Sequence, residues 1–474
     1  MTALDRVPAR ADLAVAGAGA LLTVAATYAV AQHGAAETLT LMFAAAAFLA
    51  FVAGFAFAPH IFVSAAVAYF ALLPTLERFL PAGVGGTKDA LTVAAGIATV
   101  GLLLRRRTLR LSTGDVLLLS LLFGLYVVNI GGALTRETGH GLAWFHGVRL
   151  FAEPLVLFVF GTSVRFPHKT LRWAVATLVT VCIVDAVYGL LQQALGVAGL
   201  FKLGYKYGAE IRQISGHLRS FGTMAEPFSY AAFLLLGVAA LLVWYRRSAL
   251  VALALGILAA GLVVSYVRTA ALIAVALLAV AAAQRGYGRF SIPLLLAAIA
   301  AAGALFVNAS RETETKSVQV NPTTYLTLNG RTNIWKSTLN SPADWMFGRG
   351  VGATGTASQR ATRSLSSRAS KRPAGGSVVD SSYFAMIADI GLLGLAIFLA
   401  FFTRVFQQAA AAAKRGMRSG WLALALLTVT VLDGLTRESF TGFPTAYVSL
   451  LIVGVAWATW REEPAAEMVR PRSH

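Results

Sequence analysis

The stretch V-V-D-S-S-Y-F-A-M-I-A-D-I-G-L-L-G, residues 378–394, is where a long polar segment gives way to a hydrophobic one. Ahead of it lie about seventy mostly polar residues, Asn308 to Val378, in a chain that is otherwise almost wholly apolar. A loop of that length inside a packed protein is uncommon without a use. Asp380 stands at the mouth of the apolar segment, and an ionisable residue there is a functional candidate. The rest of the chain reads as a scaffold presenting this loop, and several arginines facing it, on one side of a bilayer.

Composition supports that reading. The 474 residues are 57% hydrophobic and 13% charged, against roughly 25% charged in a soluble globular protein. Apolar segments fall near 12–32, 39–58, 60–80, 88–104, 115–134, 147–163, 171–195, 227–245, 249–265, 267–283, 291–307, 379–403, 420–436 and 443–460. At about twenty apolar residues per crossing, the expected fold class is all-α: a polytopic membrane protein of about 12–14 transmembrane helices with a large periplasmic loop between late helices. Its regions are 1–307, transmembrane; 308–378, the loop; and 379–474, the last spans and a cytoplasmic tail. Pro74 and Pro154 are the places where a span would break or kink. The N-terminal apolar run resembles a signal peptide, but its length favours an uncleaved first helix.

The formal net charge is +19. Most Lys and Arg sit in short loops, which points to orientation and to contact with anionic membrane lipid; no basic-aromatic module for nucleic acid is visible. Cys182 is the one cysteine, so there is no internal disulfide and no Cys/His zinc cluster. Clusters at Arg105–Arg107 with Arg110, at Arg165/Lys169/Arg172, Arg246–Arg247, Arg285/Arg289 and Lys414/Arg415/Arg418 place those loops, and both termini, in the cytoplasm. The connections at 81–87, 135–146, 196–226, 308–378 and 437–442 then face outward.

The outward loops carry arginines that short outer loops ordinarily lack: Arg212 and Arg219 in 196–226, Arg268 in a tight S-Y-V-R-T turn, and Arg437 in the last turn, with Arg331 from the long loop. Each alone reads as a snorkelling or acid-paired arginine, with Glu226 and Glu438 as partners. Together on one face they read as an anion site, because guanidinium groups match phosphate oxygens bidentately. The tract 355–377 is a basic Ser/Arg segment of flexible composition. No Walker A motif occurs, the G-x-G at 348–352 has no strand–helix unit around it, and no repeat argues an inverted-repeat transporter.

The pieces R-S-F-G-T-M-A-E-P (219–227), S-Y-V-R-T-A-A-L (265–272), G-R-T-N-I-W (330–335), G-R-G-V-G (348–352) and D-S-S-Y-F-A-M-I-A-D-I-G-L-L-G (380–394) occur in that order. In order and membrane side they resemble the O-antigen ligase/O-antigen polymerase superfamily of bacterial lipid-linked glycan transferases, over about the C-terminal half. The resemblance implies a metal-independent, inverting glycosyltransferase of the inner membrane, without cofactor. Its donor is a glycan on undecaprenyl pyrophosphate, its acceptor a glycan or lipid-linked repeat unit, and a chain-length regulator is a possible partner. Ligases carry His where this chain has Asp380, and the Asp-Ser-Ser-Tyr version looks more like the polymerases, so polymerase leads and ligase follows.

Chemistry of the residues fits that expectation. A pyrophosphate leaving group gains charge as the glycosidic bond breaks, and preorganised arginines stabilise it. Arg219 and Arg268 are the first candidates, then Arg212 and Arg331, with Arg437 in support. Asp380 is the candidate base for the acceptor hydroxyl, and equally reads as the cap of the following helix. Tyr383, one turn on, orients a sugar or packs; His217 is a second base candidate. A transporter or flippase of lipid-linked glycan is the competing class. It requires ionisable residues along the spans, where Asp185 and Asp433 are the main ones.

Overall fold

The computed structural model describes residues 35–79, 86–106, 110–129, 140–206, 210–214, 216–246, 248–285, 342–358, 360 and 381–467. The expected spans 12–32 and 291–307, and most of the loop 308–378, lie outside the described residues, as do Asp380 and Arg331. Every other expected span falls on one helix: α1 Ala35–Phe57, α2 Pro59–Phe79, α3 Thr87–Arg106, α4 Thr113–Val128, α5 His140–Ser163, α6 Pro167–Lys202, α7 Pro227–Trp244, α8 Ala249–Ser265, α9 Arg268–Gln284, α11 Ser382–Lys414, α12 Arg418–Gly434 and α13 Thr445–Glu467. Between α9 and α11 the short helix α10 covers Pro342–Phe347.

Six of these helices, α2, α3, α5, α6, α7 and α11, are long and apolar enough to cross a membrane, and four more apolar helices are shorter. The chain has the build of a polytopic membrane protein. At its centre stand α7 and α13. Every residue from Ser229 to Val243 of α7 is buried, as is every residue from Thr445 to Trp460 of α13; a helix apolar all round belongs inside a bundle. Helix α13 lies along α5, and two glycines set that crossing. A Cβ on Gly161 would stand 2.7 Å from the Leu451 carbonyl oxygen, and one on Gly454 would overlap the Phe158 carbonyl. Small residues of this kind let backbones meet where lipid supplies no hydrophobic drive.

The helices alternate in direction, so the bundle has two ends. At one, Arg110 donates to the Val164 carbonyl at 3.2 Å and pairs with Glu462, while Arg404 donates to Asp115 at 2.7 Å. At the other, the C-terminus of α2 meets the loop before α7 through Thr75 and Thr223, and the starts of α3 and α13 meet through Lys88 and Tyr447. All the described candidate residues lie at this second end.

Three local features depart from the reading of the chain. Helices α2 and α5 run through Pro74 and Pro154 without ending; packed neighbours make one lost hydrogen bond tolerable. The breaks fall at glycines instead. Gly196 in α6 has φ 62° and ψ −178°, and Gly391 in α11 has φ 72° and ψ −178°, a region open essentially to glycine alone. Finally, the outer connection 196–226 is not an irregular loop. Helix α6 extends to Lys202, and a two-stranded hairpin follows, β1 Arg212–Ile214 with β2 His217–Arg219, with Arg212 opposite Arg219.

Candidate functional site

After the hairpin the chain dips into the bundle. Ser220, Phe221, Gly222, Thr223 and Met224 are all buried, between α2, α6 and α8. Non-helical backbone at that depth needs partners for each polar group, and α6 supplies them. Gln192 Oε1 accepts from Phe221 N and Gly222 N at 2.9 and 3.0 Å, and its Nε2 donates to the Gly222 carbonyl. Asp185 Oδ1 accepts from Thr223 N at 2.6 Å. Gln193 donates to the Leu218 carbonyl and to Ser220 Oγ. Asp185, Gln192 and Gln193 stand at i, i+7 and i+8, one face of the helix, so α6 is the template on which R-S-F-G-T is folded.

This template fixes Arg219. Its Nε donates to the Ser265 carbonyl at 3.2 Å, and its guanidinium lies 4.6 Å from the Phe228 ring centre. Burial pushes the guanidinium below its ordinary pKa; Arg212 and then Arg268 act in the same direction, while Glu226 opposes. Arginine stays protonated through such shifts, so three positive groups are held within electrostatic reach of one another. Arg212 pairs with Glu226 at 3.5 Å, and Arg437 reaches the same carboxylate at 3.5 Å. Arg437 also donates to Ser229 Oγ at 2.5 Å and pairs with Asp433 at 3.1 Å, and Ser439 caps Asp433. The carbonyl of Arg437 accepts from Ser382 N and Oγ at 3.0 and 2.9 Å. A continuous chain of contacts thus runs from the hairpin through Glu226 and Arg437 to the first residue of α11.

That helix begins with Ser381 as its N-cap, without a side-chain cap bond. Asp380, expected as base or as cap, lies outside the described residues. Tyr383 spends its hydroxyl on the Val431 carbonyl at 2.9 Å and packs its ring against Phe398 and Phe440. His217 stacks on Tyr266, the left-handed residue between α8 and α9, at 5.8 Å.

The break at Gly391 receives the C-terminus of α10 and the segment after it. A Cβ at 391 would overlap the Met346 carbonyl and stand 2.7 Å from Phe347 N. Arg349 N donates to the Ala388 carbonyl at 2.6 Å, and Gly352 N donates to Asp389 Oδ1 at 3.1 Å. Asn129 ties both sides together, donating to the carbonyls of Phe347 and Asp389. Farther on, Glu438 Oε2 accepts from Thr356 N and Oγ1 at 2.9 and 2.7 Å. The motifs G-R-G-V-G and G-L-L-G are thus two halves of one docking joint, and a cavity beside it is lined by Tyr126, Thr354, Ser382, Asp389, Glu438 and Thr441.

Sequence reasoning missed a buried ionic group. Lys88 Nζ donates to Asp89 at 2.5 Å and to Glu153 at 2.8 Å; Arg149 donates to Asp89 at 2.7 Å; Tyr447 bonds Glu153. The signal was present: Lys88-Asp89 and Arg149-x-x-x-Glu153 are ionisable residues within apolar segments. They add four to the two acids, Asp185 and Asp433, found along the spans. All of them except Asp185, which holds the dipping segment, lie at the end of the bundle that carries the arginines, not along a path through it.

No protein-family model matches the chain. No curated protein matches it either.

Proposed function

We propose that the chain is a membrane glycosyltransferase using a pyrophosphate-linked polyprenyl glycan as donor, and that it polymerises repeat units. The observation that carries this reading is the gathering of Arg212, Arg219 and Arg437 about Glu226 at one end of the bundle, with Arg268 in electrostatic reach of Arg219. Four guanidinium groups in a half-buried setting suit an anion with several oxygens, and pyrophosphate is such a leaving group.

The acceptor hydroxyl oxygen attacks the donor's anomeric carbon from the side opposite the pyrophosphate, and a new C–O bond forms. The anomeric C–O bond to phosphorus oxygen breaks, and its electron pair leaves on the pyrophosphate. Fixed guanidinium groups stabilise that charge as it grows. The proton passes to a carboxylate, for which Asp380, adjacent in sequence to Ser381 at the foot of α11, is the candidate. Configuration inverts.

The test is reconstitution of the full chain in nanodiscs with lipid-linked repeat units and no ATP. A ladder of longer lipid-linked glycan is expected, abolished by Asp380→Ala and strongly reduced by Arg219→Ala. Transfer to lipid A–core without growth of the lipid-linked chain identifies a ligase instead. Passage of labelled lipid-linked glycan across proteoliposomes without a new glycosidic bond identifies a transporter and overturns the enzymatic reading. The transport reading has less support, since it calls for ionisable groups spaced through the bundle.

A further inference from the structure

The buried group between α3, α5 and α13 takes no part in the donor chemistry, yet its pairing is incomplete. Glu153 Oε1, Arg149 Nε and His146 Nδ1 are buried without a hydrogen-bond partner among the described residues. Glu153 is 5% exposed. Its Oε1 is ion-paired with Arg149 Nε at 3.6 Å, too far for a hydrogen bond. Buried polar atoms in native proteins are nearly always matched, and each exception asks for a cause. These three stand at i, i+3 and i+7 on one face of α5, over a rise of about 10 Å.

The group has a floor and a mouth. Lys88 and Glu153 side chains are 5% and 7% exposed, whereas Asp89 and Arg149 are each 24% exposed. Tyr447 closes the floor through its bond to Glu153. The first turn of α13 joins this group to the arginines: Thr445 accepts from Arg437 at 3.5 Å, and Tyr447 follows two residues later. The two groups are neighbours at one end of the bundle.

Their chemistries differ. Around Glu226 the arginines outnumber the acids. Here Lys88, Arg149 and Arg360 balance Asp89, Glu153 and Glu77, so an incoming charge finds no surplus of the opposite sign and would be costly to bury. What remains unmatched is one N–H donor, one carboxylate acceptor and one imidazole nitrogen able to serve as either. A hydroxyl both donates and accepts. One hydroxyl is able to bridge Arg149 Nε and Glu153 Oε1, which stand 3.6 Å apart, and a sugar carries further hydroxyls for the His146 imidazole. A neutral sugar supplies that pattern, which a phosphate or an aliphatic chain does not.

We propose that His146, Arg149 and Glu153, floored by Lys88 and Tyr447, form a binding subsite for a neutral sugar residue, and that it holds the acceptor glycan beside the donor's pyrophosphate site. The acceptor assignment rests on the glycosyltransferase reading; the sugar site does not. The probe is the delipidated repeat-unit oligosaccharide released by mild acid from the host's own polysaccharide, added to the full chain in detergent. Saturation-transfer NMR is expected to show contact with the wild type, reduced about tenfold in Glu153→Gln and in Tyr447→Phe. Melting curves and gel filtration verify that both variants fold. In the reconstituted reaction, Glu153→Gln is expected to raise the acceptor KM about tenfold and move the donor KM less than about twofold. Arg149→Lys, which keeps the charge but loses Nε, reports the same split. Sugar binding without turnover sustains the subsite and overturns the glycosyltransferase reading. Turnover with an unchanged acceptor KM in folded variants overturns the subsite. Absence of saturation transfer from the wild type, meaning that ordered water alone fills the gap, also overturns it.

Discussion

At one end of the bundle, near Arg110, Arg165, Arg172, Arg246, Arg404, Lys414 and Arg418, the acids with described side chains are Asp115 and Glu462. The described connections there are short, as at Phe166 and Gly416. At the opposite end Arg149, Arg212, Arg219 and Arg437 lie among Asp89, Glu153, Glu226, Asp389, Asp433 and Glu438. There two helices are broken at glycine, and a non-helical segment enters the bundle. The same side chain, arginine, serves two physical purposes. A surplus of cations on regular turns orients a chain in a membrane and attracts anionic headgroups. Arginines held by acids on irregular backbone are fixed in place, and fixed charge is what binding and catalysis need.

The largest effect that tests this contrast lies in the backbone. Gly391 and Gly416 both have positive φ, 72° and 82°. A Cβ at 391 meets the Met346 and Phe347 backbone, whereas one at 416 meets nothing within 4 Å. Gly391→Ala is expected to cost about 3 kcal/mol or more through strain and overlap, Gly416→Ala about 1 kcal/mol. Equal melting shifts would remove the distinction between the ends.

Next in size is the loss of one acid from each end. Asp433 is 4% exposed and accepts from Arg437 and Ser439. Asp433→Asn is expected to cost about 3 kcal/mol by leaving Arg437 poorly compensated. Asp115 pairs with the partly exposed Arg404 and completes the capping box of α4; Asp115→Ala is expected to cost about 1–2 kcal/mol. Denaturation of the two variants under identical detergent conditions decides the order.

Arg212 separates function from stability. Its pair with Glu226 is 3.5 Å long and its side chain 39% exposed, so Arg212→Ala is expected to change stability by less than about 1 kcal/mol. Glycan transfer is expected to fall about 100-fold, as when one charge-stabilising donor is removed. A folded variant with undiminished transfer would remove Arg212 from the donor site. The smallest effect belongs to the cation-rich end, where Arg418→Gln is expected to weaken retention of anionic lipid by about 1 kcal/mol. Native mass spectrometry reads it, and transfer should be unaffected.

Much of this arrangement is visible in the chain. Hydropathy alone located α1 to α9 and α11 to α13, because roughly twenty apolar residues have few alternatives in lipid. Loop charge gave the alternation that brings Arg212, Arg219, Arg268 and Arg437 to one end. Contacts between residues far apart in sequence were not legible. Nothing near Ser220 announces that Gln192 and Asp185 will satisfy its neighbours, and nothing near Lys88 announces Glu153 and Tyr447. Pro74 and Pro154 drew attention as breaks, but proline has a helical φ and costs one bond. Gly391 stands in the quoted G-L-L-G motif and Gly196 in an apolar run, but neither signals a break from its neighbours, although only glycine takes the angles found there.

The meeting of Gly161 and Gly454 has a consequence for biogenesis. Helices α5 and α13 are separated by more than half of the chain, and α5 carries the buried Glu153 that Tyr447 of α13 completes. During synthesis α5 enters the membrane long before its partner exists, with an ionisable face that lipid cannot solvate. Until the ribosome has released α13, that face depends on Lys88 and Asp89 of α3 or on an insertion chaperone. Quality control of this protein should therefore act late, on chains in which α13 has failed to seat.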